Sequence, residues 1–298
     1  MTKNFIIFGA GASYGSDSLG VPPKASKLLS ELAVFNPTGW GKLTGEFKLV
    51  LVEDFEKGVI KIATEMSHDL SILQRVMADF FFRFQPRDTN LYYRLAKKLK
   101  ENNKNVALST LNYERLLDIS FLAADHKVNI GNSPNDEIEL NLPHGACYLF
   151  CESARALASA VSFSGMNVQV NGEIKIISDP TEFQQRITQD AFPPVMSYFE
   201  PQKRTTAGQD FINTQRQRFS ELCTEAEQII IIGVKIREHD SHIWDAIKNS
   251  NASLIYCSGN NEKVNFDNWV ANNRKGKTNI SLSGYWAENF EEILNYLK

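Results

Sequence analysis

Five short, mostly apolar runs, each closed by turn residues, constrain the fold of this chain more than any other feature. They are Asn4–Phe8, Asn105–Ser109, Gln228–Ile232, Ser253–Cys257 and Asn279–Leu282. A run this short reads as a strand, and one without polar alternation reads as a strand covered on both faces. Four of the runs precede helical stretches, Tyr113–Ala124, His239–Asn249, Glu262–Asn272 and Ala287–Leu297. Strands that alternate with helices pair in parallel, because each helix is the crossover between them. The expectation is an α/β fold: a Rossmann-like parallel sheet flanked by helices.

Two stretches break the alternation. From about residue 44 to 100, apolar positions recur at helical spacing (Leu70, Leu73, Val76, Met77, Phe80, Phe81), which predicts a helical insertion. From about 151 to 218 the sequence is irregular and predicts a second, mixed insertion. Inside it, Asn171-Gly172 separates Val168–Val170 from Glu173–Ile176, the pattern of a hairpin with a type I′ turn. Residues 1–298 then read as a single domain with two insertions.

Composition narrows the function classes. Net charge is −3, so nothing draws the whole chain toward nucleic acid. No apolar stretch approaches the ~18 residues needed to span a bilayer. The four cysteines, Cys147, Cys151, Cys223 and Cys257, contain no CxxC pair, which argues against a zinc ribbon or a disulfide framework. A cytoplasmic protein with free thiols is expected.

Several motifs carry chemistry. The first strand runs into Gly9-Ala10-Gly11-Ala12-Ser13, where bare backbone lets a phosphate approach closely. Tyr14 stands where a dehydrogenase fingerprint needs glycine or alanine, and no acid closes a second strand about 20 residues on. A tight turn without ligand is the alternative. Thr110-Leu111-Asn112-Tyr113-Glu114 ends the second run and places Asn112 at the carboxyl edge of the sheet, as a ligand group or as a helix cap. Pro143-His144-Gly145 presents one imidazole, suited to general-base work or simply a satisfied polar residue. Ile232-Gly233-Val234 closes a very apolar strand at another glycine. His239 and His242 beyond it form an H-x-x-H with no third ligand in view, so no metal site is expected; Asp240 starts the next helix. Ser258, after the following strand, is placed to meet an adenine or its ribose, or merely to turn the chain.

In this order the motifs resemble the sirtuin superfamily, and within it the sirtuin-like NAD hydrolases of bacterial antiphage defence, over about residues 4–260. Val52-Glu53-Asp54-Phe55-Glu56 looks like the acidic helical segment those domains often carry. The resemblance implies an NAD-binding domain with NAD as substrate, cut into nicotinamide and ADP-ribose. It places Asn112 and His144 at the catalytic positions beside the nicotinamide ribose. Gly9, Ala10, Gly11, Ala12, Ser13, Thr110, Gly233, Val234, Asp240 and Ser258 then contact the nucleotide. Three departures speak against protein deacylation: no zinc ribbon and hence no zinc, Gly20-Val21-Pro22-Pro23-Lys24 in the first loop, and Leu111 in place of a glutamine. The alternatives are a non-catalytic NAD or ADP-ribose-nucleotide binding module and an ADP-ribosyltransferase. Because no stretch reads as a separate sensor domain, control is expected from a homo-oligomer or a separate regulatory protein, such as a sensor or an ATPase.

Overall fold

The structure, a computed structural model, describes residues 4–19, 21–102, 105–130, 137–155, 170–197, 207–237 and 240–297. Its strands in chain order are β1 (Asn4–Phe8), β2 (Val106–Thr110), β3 (Val128–Ile130), β4 (Ile138–Asn141), β5 (Leu149–Cys151), β6 (Ile174–Ile176), β7 (Gln228–Ile232), β8 (Ser253–Cys257) and β9 (Asn279–Ser281). Seven of them form one sheet in the order β3-β4-β2-β1-β7-β8-β9, every neighbouring pair parallel. The expected Rossmann-like α/β fold is therefore what the chain adopts.

The apolar runs are strands because the sheet is covered on both faces. Successive side chains of a strand point to opposite faces. Ile6, Phe8, Leu108, Ile230 and Ile232 accordingly enter one hydrophobic cluster, and Phe5, Ile7, Ala107, Ile229 and Ile231 enter the other. The first cluster also takes in residues of α1 (Ala10–Gly15), α2 (Ala25–Phe35), α3 (Gly45–Glu53), α4 (Phe55–Glu65), α5 (Ser67–Phe82), α6 (Leu91–Asn102), α7 (Leu116–Ala123), α8 (Pro180–Gln189) and α12 (Phe290–Tyr296). The second is closed by α9 (Gln209–Glu225), α10 (Ser241–Asn249) and α11 (Asn260–Asn273), through Phe219, Leu222, Ile243, Trp244 and Phe266. Each fully buried isoleucine contributes about 1.5–3 kcal/mol relative to exposure, so β7 alone, Gln228-Ile229-Ile230-Ile231-Ile232, anchors the middle of the sheet.

Register sets the site. Phe8 lies opposite both Thr110 and Ile232, and Ile232 lies opposite Cys257, so β2, β1, β7 and β8 end level with one another. From β1 the chain moves first to β2 on one side and later returns to β7 on the other. Open α/β sheets bind ligands in the crevice beyond such a reversal.

Three expectations need correction. Ile174–Ile176 pairs antiparallel with Leu149–Cys151, and Val170 bridges to Ala207, so Asn171-Gly172 does not close the predicted hairpin; Val168 and Gln169 lie outside the described residues. Strands β3 and β4 have no counterpart in the sequence reading. Helix α7 covers Leu116–Ala123 and starts after Tyr113, with Arg115 at its N-cap, so Asn112 is not a helix cap. Among the described residues no helix is long and apolar enough to cross a membrane.

Candidate active site

Two glycine turns interlock at the level rim of the sheet. Gly9 N–H donates to the Ile232 carbonyl and Gly11 N–H to the Gly233 carbonyl, both at 2.9 Å. Gly233 N–H in turn donates to the Cys257 carbonyl at 2.8 Å. Gly233 has φ +67°, and a Cβ there would lie 1.9 Å from the Ala12 nitrogen. A Cβ on Gly11 would meet the Gly233 Cα at 2.9 Å. The glycines are therefore needed first for the close packing of two turns. Gly11 and Ala12 spend their N–H groups within the turns, Ala12 on the Gly9 carbonyl at 2.9 Å.

Above the turns lies a cavity of about 380 Å³, within the size range of small-molecule sites. Gly9, Ala10, Gly11, Ser13, Gly233 and Val234 form its floor, and Ser258 sits at the β8 end. Asn112, His144 and Asp240 line it as well. Phe55, Phe81 and Trp286 supply apolar wall, while Lys24, Lys235 and Arg237 bring positive charge to it. Two residues expected at the ligand stand behind this wall instead: Ala12 is fully buried, and the Thr110 hydroxyl accepts the Asn112 backbone N–H at 3.1 Å.

Ser13 is the hub of a buried polar network. It donates to Glu114 Oε1 at 2.5 Å, accepts from Asn112 Nδ2 at 2.8 Å and lies 2.9 Å from the Tyr92 hydroxyl. A serine hydroxyl has one hydrogen and two lone pairs, so Tyr92 is the donor and Ser13 is saturated. The same count fixes the Asn112 amide, since Ser13 needs a donor there and Nδ2 must face it. Oδ1 and the second Nδ2 hydrogen carry the rest of that amide's bonding capacity. Ser13 thus orients Asn112 while it also lines the cavity.

Glu114 also accepts the Leu116 backbone N–H, on Oε2 at 2.5 Å. Burial pushes its carboxyl up from 4.5 to about 7, against the opposing pull of its hydrogen bonds. Asp118 beside it rises from 3.8 to about 6, again by burial, against its ion pair with Arg115. Both folded-state values exceed the unfolded ones. The stabilisation is therefore complete below the unfolded values and is lost as pH rises through the folded ones. Stability should fall between about pH 4.5 and 7, by about 3 kcal/mol from Glu114 alone. Urea midpoints across that range check this, and Glu114→Gln should flatten the slope.

His144 follows β4 on a turn pinned from several sides. Its carbonyl accepts the Ser197 N–H at 2.8 Å, the Pro143 carbonyl accepts from Arg216 Nε at 3.3 Å, and Gly145 takes φ +72°. His144 Nδ1 lies 3.3 Å from the Leu111 carbonyl. A carbonyl only accepts, so Nδ1 carries the ring hydrogen and Nε2 holds a lone pair, which takes the Nε2 hydrogen of His242 until another donor replaces it. That Nε2 faces His242 Nε2 at 3.0 Å and Asp240 Oδ1 at 3.9 Å. The expectation that His242 has no third ligand nearby is thereby overturned, while His239 lies outside the described residues.

Sequence reading gave no role to Tyr92 or Glu114 and set His242 aside with His239 as a pair lacking a third ligand. Tyr92 sits in a helix of apolar periodicity and reads as core; only its hydroxyl, brought to Ser13 by the fold, gives it a polar task. Glu114 stood inside a quoted motif, and its acidity next to Asn112 was the available signal.

No protein-family model matches the chain, and no curated protein matches it. Among solved structures the chain is similar to a mutant Sir2 homologue in complex with ADP ribose. That likeness has 14% identity and a TM-score of 0.47, covering 99% of this chain and 92% of that one. It is also similar to a Sir2 homologue–NAD complex, with 13% identity and a TM-score of 0.49, covering 99% and 89%.

Proposed function

We propose that this chain is a sirtuin-like NAD glycohydrolase that releases nicotinamide and ADP-ribose from NAD. The observation that carries the reading is that Asn112 and His144, which follow different strands, line one cavity floored by Gly9, Gly11 and Gly233. Lys24, Lys235 and Arg237 line that cavity beside the acids Glu114, Asp240 and Glu262, and Lys235 and Arg237, each 3.9 Å from a carboxylate (Glu262 and Asp54), are the cations that can turn to a pyrophosphate.

The chemistry asks little of the protein in acid catalysis. The C1′–N bond breaks with its electron pair passing to nicotinamide, which leaves neutral. The ribose becomes oxocarbenium-like, a water oxygen bonds to C1′, and the proton it sheds goes to His144 Nε2. Asn112, held by Ser13, orients a ribose hydroxyl or that water. Walls from Phe55, Phe81 and Trp286 exclude bulk solvent and so strengthen these polar contacts.

His144→Ala should lower nicotinamide release by about 10²–10⁴-fold without unfolding the chain. The test is incubation with NAD, by the purified chain and in lysate of phage-challenged cells, with products separated by chromatography. ADP-ribose and nicotinamide formed by the wild type and not by the variant support the reading; no nicotinamide under either condition overturns it. An unrestrained enzyme of this kind would empty a cell of NAD. The proposal therefore includes a cytoplasmic role in antiphage defence and restraint by self-association or by a second protein.

A further inference from the structure

We propose that His144, Asp240 and His242 form a binding site for one divalent transition-metal ion such as Zn²⁺, and that the bound ion switches off NAD cleavage. The second half rests on the function proposed above; the metal site does not.

The donor atoms of the three residues all lie within 4.8 Å of one another. The two imidazole nitrogens are 3.0 Å apart, and His144 Nε2 is 3.9 Å from Asp240 Oδ1. Tetrahedral zinc with bonds near 2.1 Å sets its ligands about 3.3–3.4 Å apart. The nitrogens need to open by a few tenths of an ångström and the carboxylate to close by about half of one. Two imidazole nitrogens that face each other share a hydrogen between two lone-pair positions, and a metal ion takes the place of that hydrogen.

The surroundings fit a ligand set as well. The second nitrogen of a metal-bound histidine usually donates to a carbonyl or carboxylate, which fixes its tautomer. His144 Nδ1 already does so, to Leu111. Asp240 occupies the N-cap position of α10, and its carboxylate lies 3.9 Å from His144 Nε2. His144 and Asp240 are buried and line the cavity, so a fourth position can open toward it. Imidazole with carboxylate favours zinc over magnesium or calcium, which prefer all-oxygen shells.

Such an ion opposes the reaction for two reasons. It occupies the lone pair with which His144 accepts a proton. It also sets two positive charges beside a ribose carbon that gains positive charge in the transition state, an unfavourable pair in a low-dielectric cavity.

The test begins with chelator-treated protein titrated with Co²⁺, whose visible absorption reports tetrahedral ligation, and then with Zn²⁺ against a chromophoric chelator. One ion per chain is expected, bound at least about tenfold more weakly in His242→Ala and in Asp240→Ala. Binding that is absent, or equally tight in both variants, overturns the site. The activity arm follows nicotinamide release as zinc fills the site. Release should fall with occupancy and return on chelation. Unchanged or faster release in zinc-loaded protein overturns the switch and leaves the site standing. No release from any form counts against the NAD reading, while the cobalt spectrum still decides whether the metal site exists.

Discussion

Asn112→Ala should reduce nicotinamide release by at least about 10²-fold and leave the chain folded. A preorganised polar group aimed at the reacting centre is typically worth about 10²–10³ in rate. Asn112 is preorganised in this sense: Ser13 fixes its side chain, and Thr110 accepts its backbone N–H. The fold should survive because the substitution removes the amide's bonds to one buried network, a cost of about 1–3 kcal/mol, and the sheet around it is untouched. Ser13→Ala offers a graded control, since it leaves the amide in place and frees its rotation. A smaller loss of rate is expected there. Chromatographic assay with a circular-dichroism melt checks both variants. Wild-type turnover by Asn112→Ala would remove the amide from the mechanism.

Gly233→Ala should act through structure instead. A non-glycine residue at φ +67° costs about 1–2 kcal/mol. The added Cβ would also fall 1.9 Å from the Ala12 nitrogen and 2.4 Å from the Gly11 carbonyl carbon, both backbone atoms that cannot swing aside. The two turns must separate, and the cavity floor goes with them. A loss of more than about 3 kcal/mol in unfolding free energy is expected, together with loss of NAD binding by calorimetry. Gly15→Ala is the control, because a Cβ there meets nothing within 4 Å. Equal stability of Gly233→Ala and wild type would mean that the two turns are not interlocked.

What was legible in the sequence follows from how each element is buried. Strands β1, β7 and β8 are covered on both faces, so their apolar runs announce themselves. Strand β4, Ile138-Glu139-Leu140-Asn141, does not, because it carries its own polar partners inside the protein. Glu139 pairs with Arg218 of α9 at 2.6 Å, and Asn141 Nδ2 donates to the Gln215 carbonyl at 2.8 Å. Strand β3 is a half-buried edge of three residues, too short to show a period. Asn171-Gly172 misled because its residues serve contacts far along the chain. The Asn171 side chain accepts the Asp210 N–H at 3.1 Å, and a Cβ on Gly172 would meet the Ser153 hydroxyl at 2.0 Å.

The site divides in the same way. Asn112 and His144 could be picked out because each sits in a distinctive local motif, Asn112 after a legible strand and His144 between Pro143 and Gly145. The groups that act on them, Tyr92 through Ser13 and His242 and Asp240 through His144, come from segments that only the fold brings near. Spacing along the chain holds no trace of such pairings.

The central claim is that the nicotinamide ribose lies between Asn112 and His144 above the Gly9–Gly11 and Gly233 turns. A crystal structure with a non-hydrolysable NAD analogue tests it most directly. The expected result is a pyrophosphate over those turns and the Asn112 amide and His144 Nε2 within about 3.2 Å of the ribose or of a water beside its C1′. An analogue whose ribose rests elsewhere, with either side chain turned away from it, would contradict the claim.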